Sequence, residues 1–208
     1  MGDQENISFS PSYAALQLNV RDLIAVDFQS TVFEIVEKAN RYCIAKVKSG
    51  GSVGNNKGAS VNRRIELDAV SQKDREAITI GKELGITNYA LSFANTFDDV
   101  LYMRKLIGEG SSLISKIESY NGLRNLRSII GSSDEVLIDR GDLSREVDSV
   151  MIPFLQQRII AQAHSMDTPV YVATNLLESM TNNENPTRAE TSDVVSSLSM
   201  GASGLVLA

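Results

Sequence analysis

The sequence predicts an α/β fold in which helices cover a parallel sheet, preceded by a small β subdomain. From Ser71 onward, short apolar runs alternate with segments whose apolar residues recur at helical spacing. Such alternation favours right-handed crossovers and a parallel sheet. Residues 7–61 instead contain short runs of β-branched and aromatic residues between polar turns. We therefore expect a β unit over residues 1–60 and an α/β unit over residues 61–208.

The β unit contains three predicted strands, over residues 23–28, 32–36 and 42–47. A loop with four glycines follows at residues 50–58. It matches no established phosphate-binding pattern, so we interpret it as a hairpin end or a hinge between domains.

The α/β unit begins with a predicted capping box, Ser71 with Asp74, and a second box, Thr187 with Glu190, opens a later helix. Further helices are expected from Phe97 onward and over residues 150–166. A single helix is expected between the strands over residues 113–117 and 135–138, which are the second and third of about five predicted strands. The predicted strands cover residues 86–93, 113–117, 135–138, 169–174 and 204–208.

Charged residues lie at or just beyond the C-terminal ends of two of these strands. Lys116 and Glu118 lie two apart, so both side chains should lie on one face of the strand, and Asp142 follows the next strand. Buried charges persist only when they are paired or bind a ligand, and α/β folds place active sites at this edge of the sheet. Two carboxylates and a lysine suit Mg²⁺ with an anionic ligand. The alternative, which the spacing leaves open, is a structural Lys116–Glu118–Asp142 ion-pair network.

The segment around Asp142 also has the features of a ligand-binding turn. Gly141 permits a sharp turn and a close approach of the backbone to a ligand. A helix starting at Leu143 would direct free N–H groups at an anion.

Composition excludes several functional classes. The 208 residues are 42% hydrophobic and carry a net charge of -6, which disfavours nucleic-acid binding by general electrostatics. Cys43 and His164 are the only residues of their types, so an intrachain disulfide and a Cys/His metal cage are excluded. His164 is expected to end a helix. No apolar run reaches the length of a membrane span, and we expect a cytoplasmic protein without a membrane partner.

Several motifs, in order, resemble the pyruvate kinase family over residues 22–208. They are Ile114-Ser115-Lys116-Ile117-Glu118, Arg140-Gly141-Asp142-Leu143, Ala173-Thr174, Leu177-Glu178-Ser179-Met180, Asn185-Pro186-Thr187-Arg188-Ala189-Glu190 and Ser192-Asp193-Val194.

The resemblance implies a role for each matched residue. Glu118 and Asp142 would ligate Mg²⁺, and Lys116 would stabilise charge on the transferring phosphoryl group and the enolate oxygen. Backbone groups of Gly141 and Asp142, with the Thr174 hydroxyl, would hold the carboxylate of phosphoenolpyruvate or pyruvate.

The resemblance further implies a partial TIM barrel of about five βα units, strands four to eight, with the second part of the lid β domain at residues 1–60. The phosphate-binding arginine and the potassium site of the family cannot be matched, so ADP or ATP would bind only if the barrel is completed. Open sheet edges are rarely left uncovered. We expect further residues, a partner chain or a homo-oligomer to complete the barrel.

Within the matched part, five residues depart from the family pattern. An extra carboxylate at Asp139 is expected to repel its acidic neighbours, raising one pKa or altering ion affinity. The other departures are Asn95, Ser144, Asp148 and Asn175.

Three functions follow as hypotheses. The first is a pyruvate kinase-like phosphotransferase that carries the magnesium and pyruvate half of the site. The second is a non-catalytic pyruvate kinase-like subunit. The third is a magnesium-dependent lyase or decarboxylase of 2-oxo acids. Lys116, Glu118, Asp142 and Thr174 would suffice to hold a pyruvate enolate without any nucleotide.

Overall fold

The computed structural model describes residues 5–27 and 30–207, in two compact units divided between Asp68 and Ala69. The predicted strand ends at Phe28 and Ala208 lie outside the described residues. Among the residues described, no helix is both long and apolar enough for a transmembrane span.

The first unit is built on an antiparallel sheet with the order β3-β2-β1-β4. Its three predicted strands are present, and residues 50–58 form a loop as expected. The short strand β4 was not predicted, because three residues carry too little alternation to be recognised. The elements are helix α1 (Ser12–Leu16) and strands β1 (Leu23–Val26), β2 (Thr31–Lys38), β3 (Cys43–Ser49) and β4 (Ala59–Val61).

The second unit contains a parallel sheet whose strands follow in chain order, β5-β6-β7-β8-β9, within the described residues. The prediction of an α/β fold with a parallel sheet is therefore confirmed. The strands are β5 (Asn88–Leu91), β6 (Ser112–Ile117), β7 (Glu135–Asp139), β8 (Val170–Ala173) and β9 (Gly204–Val206). The helices are α2 (Gln72–Glu83), α3 (Phe97–Ile107), α4 (Tyr120–Arg124), α5 (Leu126–Ile130), α6 (Arg140–Leu143), α7 (Ile152–His164) and α8 (Arg188–Ser199).

Local sequence signals fix where several helices begin. Both predicted capping boxes are present: Ser71 accepts from the backbone of Asp74 at the start of α2, and Thr187 accepts from that of Glu190 at the start of α8. A third box, which was not predicted, places Thr96 before α3.

One prediction about helices was wrong, and one conditional expectation was not met. The segment between β6 and β7 is two short helices, since Asn125, at φ -102° and ψ 15°, departs from helical geometry between α4 and α5. No helix begins at Leu143. Helix α6 ends there and begins three residues earlier, because Asp139 caps its start by accepting from the backbone of Asp142.

Side chains along β6 and β7 alternate between a buried apolar face and a face that carries the polar residues of the site. Leu113, Ile117, Val136 and Ile138 are fully buried and belong to one cluster with apolar residues of α5 and α7. The other face of the two strands carries Lys116 and Asp139. The apolar face thus packs into the core, and the C-terminal ends of the strands present the polar side chains.

Candidate active site

Lys116 and Glu118 form an ion pair at the C-terminal end of β6. The Lys116 Nζ lies 2.9 Å from Glu118 Oε2, as expected for side chains two residues apart in a strand. Glu118 is completely buried, and its Oε1 accepts a 2.6 Å hydrogen bond from the backbone N–H of Phe93 beyond the end of β5. The carboxylate is thereby fixed between two neighbouring strand ends.

Asp139, the last residue of β7, is the second partner of Lys116, at 3.0 Å between Nζ and Oδ2. The strand register explains the contact. Lys116 is opposite Leu137, so Asp139 lies two residues further along the same face. The other Asp139 oxygen accepts a 2.7 Å hydrogen bond from the Thr174 hydroxyl at the end of β8.

Asp142 lies beside this pair but has a different cationic partner. Its Oδ1 is 3.1 Å from Arg145 Nη1, whereas the ion pairs of Lys116 among the described residues go to Glu118 and Asp139. The alternative prediction of a structural Lys116–Glu118–Asp142 ion-pair network was therefore wrong about Asp142. Asp139 takes its place as the second partner of Lys116.

Three carboxylates nevertheless converge. One oxygen each from Glu118, Asp139 and Asp142 lies within 4.8 Å of the others. Glu118 Oε2 is buried and has no hydrogen bond of good geometry among the described residues, although Lys116 is close. Hard oxygen donors and an incompletely satisfied buried oxygen fit a divalent cation such as Mg²⁺. The acidic cluster is thus a candidate metal site.

Close packing of Gly141 against Thr174 shapes the turn after β7. A Cβ on Gly141 would lie 2.7 Å from Thr174 Cγ2 and 3.4 Å from Asp139 Oδ1, so only glycine fits here. Thr174 itself has φ +76°, an unusual left-handed conformation for a β-branched residue. The predicted site residues of β7 and β8 are therefore brought together by a strained, tightly packed contact.

Burial and pairing perturb three ionisable groups of the cluster. Burial raises the pKa of Glu118, an effect that the Lys116 cation and the Phe93 N–H only partly oppose. Burial alone would also raise the pKa of Asp139, but the Thr174 hydroxyl and Lys116 lower it. For Lys116, burial acts against the charged form, yet the two carboxylates raise the pKa of the ammonium. We expected the Asp139 carboxylate to repel its acidic neighbours. Its charge does raise the pKa of Glu118, but it contributes much less to that rise than burial does.

A family profile described as "Pyruvate kinase, barrel domain" matches residues 1–208. The chain belongs to the pyruvate kinase family. It is 36% identical over 187 residues to a pyruvate kinase of Agrobacterium vitis, covering 89% of this chain and 39% of the relative. It is 34% identical over 210 residues to a pyruvate kinase of Clostridium perfringens, covering 98% of this chain and 44% of the relative. It is 32% identical over 211 residues to a pyruvate kinase of Thermotoga maritima, covering 100% of this chain and 45% of the relative. The chain thus spans about two fifths of the length of these relatives.

Arg140, which the sequence marks only as part of a pyruvate kinase motif, joins the turn after β7 to the end of β8 and to helices α7 and α8. Its Nη1 lies 2.9 Å and 2.8 Å from the two carboxylate oxygens of Asp193 in α8. Its Nη2 donates a 2.6 Å hydrogen bond to the carbonyl oxygen of Thr174, and Nη1 is 3.4 Å from Gln156 Oε1 in α7. The link was not predicted from the sequence, because 53 residues separate Arg140 from Asp193.

The other departures from the family pattern have local structural roles. Ser144 Oγ donates to the carbonyl oxygen of Gly141 at 2.7 Å, and Asp148 accepts from the backbone N–H of Val150 at 3.1 Å. Asn95 accepts a hydrogen bond from the Ser119 hydroxyl, and Asn175 has φ +59°. His164 ends α7 as predicted and is exposed.

Proposed function

We propose that this chain carries the metal and three-carbon-acid half of a pyruvate kinase-like site, for the transfer of a phosphoryl group from phosphoenolpyruvate to ADP. Family membership supports a pyruvate kinase-like function. The observation that carries the specific proposal is the convergence of Lys116, three carboxylates and Thr174 at the ends of three adjacent parallel strands. Strand ends of this kind place groups from different strands around one small ligand.

Each residue has a distinct role in the proposal. Glu118 and Asp142 would hold Mg²⁺, which supplies Lewis-acid stabilisation of oxygen charge when bound. The Lys116 ammonium lies beside that position and stabilises negative charge that develops on the phosphoryl and enolate oxygens. The Thr174 hydroxyl, with backbone groups of Gly141 and Asp142, binds and orients the substrate carboxylate.

The architecture assigned to the chain is a further part of the proposal. We assign residues 1–60 to a lid-like β domain and residues 61–208 to part of a (β/α)₈ barrel with about five βα units. In the described sheet, β5 and β9 each pair on one side only. Unpaired strand edges favour completion by further strands, from another segment or from a second chain in a homo- or hetero-oligomer. ADP or ATP, and K⁺, would bind only in the completed barrel. We assign the protein to the cytoplasm.

A coupled assay with phosphoenolpyruvate, ADP and Mg²⁺ tests the proposal. We expect pyruvate formation when strands one to three of a related barrel are supplied as a second polypeptide, and loss of this activity in Lys116→Met. Glu135→Gln, at the opposite end of β7 from the site, is the matched control and should retain activity. Activity that persists undiminished in Lys116→Met would contradict the assigned role.

Two other outcomes would favour the alternative functions. Mg²⁺-dependent pyruvate release from oxaloacetate by the chain alone would favour a lyase or decarboxylase. Calorimetry with oxalate, an analogue of enolpyruvate, tests for the anion pocket itself. Oxalate binding without turnover in any assembly would favour a non-catalytic subunit.

A further inference from the structure

The carboxylate of Asp139 already occupies the donors that the proposed function assigns to an anionic substrate. Its Oδ2 is 3.0 Å from the Lys116 ammonium, and its Oδ1 accepts from the Thr174 hydroxyl at 2.7 Å. The backbone N–H of Asp142 donates to the same Oδ1 at a longer 3.4 Å. A protein carboxylate therefore makes contacts that a bound carboxylic acid would make.

The backbone fixes Asp139 in this place. The residue ends β7, where the register with β6 sets its distance from Lys116 and the register with β8 places it opposite Ala173, directly before Thr174. Its side chain is 16% exposed, so solvent reaches it at the mouth of the site. A carboxylate at the solvent side can be displaced by a ligand without unfolding the strand.

An external anion would meet two obstacles here. The Thr174 hydroxyl has a single proton and donates it to Asp139, so this donor is not free for a second carboxylate. The carboxylate of Asp139 would also repel an anion placed beside Lys116, since its Oδ2 already lies 3.0 Å from the ammonium.

We propose that the Asp139 carboxylate competes internally with carboxylate ligands for Lys116 and Thr174 and so lowers their affinity. Binding of a small carboxylic acid requires Asp139 to leave at least one of these donors. The inference rests on the proposed function, which identifies the pocket. It adds that this chain binds carboxylates more weakly than Lys116 and Thr174 would if Asp139 did not occupy them.

Calorimetric titration of the 208-residue chain with oxalate in the presence of Mg²⁺ tests the inference. We compare the unchanged chain with Asp139→Ala and Asp139→Asn. Removal of the competing charge should tighten oxalate binding about tenfold in Asp139→Ala. Asp139→Asn should give a smaller gain, because the neutral amide retains the shape and can still accept from Thr174.

Two controls keep the result specific. Glu135→Gln removes one negative charge at the start of the same strand, about 13 Å away by the strand rise, and should leave the affinity unchanged. Thermal unfolding verifies that each variant is folded. If Asp139→Ala does not fold, Asp139→Asn alone must still bind oxalate more tightly than the unchanged chain.

The remaining outcomes separate this inference from the proposed function. Equal or weaker binding by both Asp139 variants, with measurable binding by the unchanged chain, overturns the inference and leaves the anion pocket intact. Weaker binding would indicate that Asp139 helps to hold the metal or the ligand. An absence of oxalate binding by every chain overturns the pocket, and the inference with it.

Discussion

Arg140 and Asp193 form an ion pair, 2.8 Å between Nη1 and Oδ2, that ties the turn after β7 to helix α8. The same guanidinium donates to the carbonyl oxygen of Thr174, which has a left-handed backbone conformation. Arg140 therefore positions the backbone of a proposed substrate-binding residue, and Asp193 holds Arg140 in place. This relationship makes a residue of helix α8 relevant to the site.

We expect Asp193→Ala to destabilise the protein by about 1–2 kcal/mol. This is less than the ~3–5 kcal/mol cost of breaking a fully buried pair, since the Asp193 side chain is 35% exposed. Urea unfolding measures the loss. Ser192→Ala, the exposed neighbour on α8, is the control and should change stability little. Equal effects of the two substitutions would contradict a structural role for the pair.

Local signals explain which parts of the structure were predictable. The capping boxes at Ser71 and Thr187 involve residues three apart, and the Lys116–Glu118 pair follows from the period of a single strand. Each depends only on near neighbours in the chain, so one sequence suffices to recognise it.

The remainder of the site depends on register and long-range contacts. The contact of Lys116 with Asp139 requires the alignment of β6 with β7, which alternation alone does not determine. A one-residue shift would exchange the faces and give Lys116 another partner. The resemblance to pyruvate kinases identified Asp139 as unusual, but its hydrogen bond with Thr174 became evident only from the fold.

Glu190 should make stability depend on acid pH. Its carboxylate accepts from the hydroxyl and backbone N–H of Ser179 and from Thr187, which lowers its pKa from 4.5 to about 2. Because the pKa is lower in the folded state, the stabilisation is complete above pH 4.5 and is lost as pH falls from 4.5 towards 2. The stability difference between the unchanged chain and Glu190→Gln should therefore shrink over this interval.

Urea unfolding at several pH values between 2 and 7 measures that difference. Glu184→Gln, which alters an exposed carboxylate in the preceding loop, is the matched control and should give a small difference at every pH. A Glu190→Gln difference that stays constant down to pH 2 would show that the network does not hold the carboxylate in its charged form.

We expect Gly141→Ala to destabilise the protein by about 1–3 kcal/mol, the usual range for overpacking. The new Cβ would lie 2.7 Å from Thr174 Cγ2, and Thr174 cannot turn away without losing its hydrogen bond to Asp139. Gly110→Ala is the control, because no heavy atom lies within 4 Å of the corresponding Cβ. Thermal or urea unfolding compares the two, and similar losses would indicate that the close contact relaxes freely.

Lys116→Met tests how the buried carboxylate of Glu118 is held. Without the ammonium, burial should raise the Glu118 pKa further above its ordinary value of 4.5. We expect a loss of about 3 kcal/mol at pH 7.5, near the lower end of the cost of unpairing a buried charge because Lys116 is partly exposed. A carboxyl whose pKa is raised by folding favours the folded state when protonated, so the loss should be smaller at pH 5.

Urea unfolding at both pH values measures the loss, and Lys116→Met combined with Glu118→Gln should recover most of the stability at pH 7.5. A double variant no more stable than Lys116→Met would contradict the proposed cause, because the completely buried carboxylate of Glu118 would already be replaced by a neutral amide.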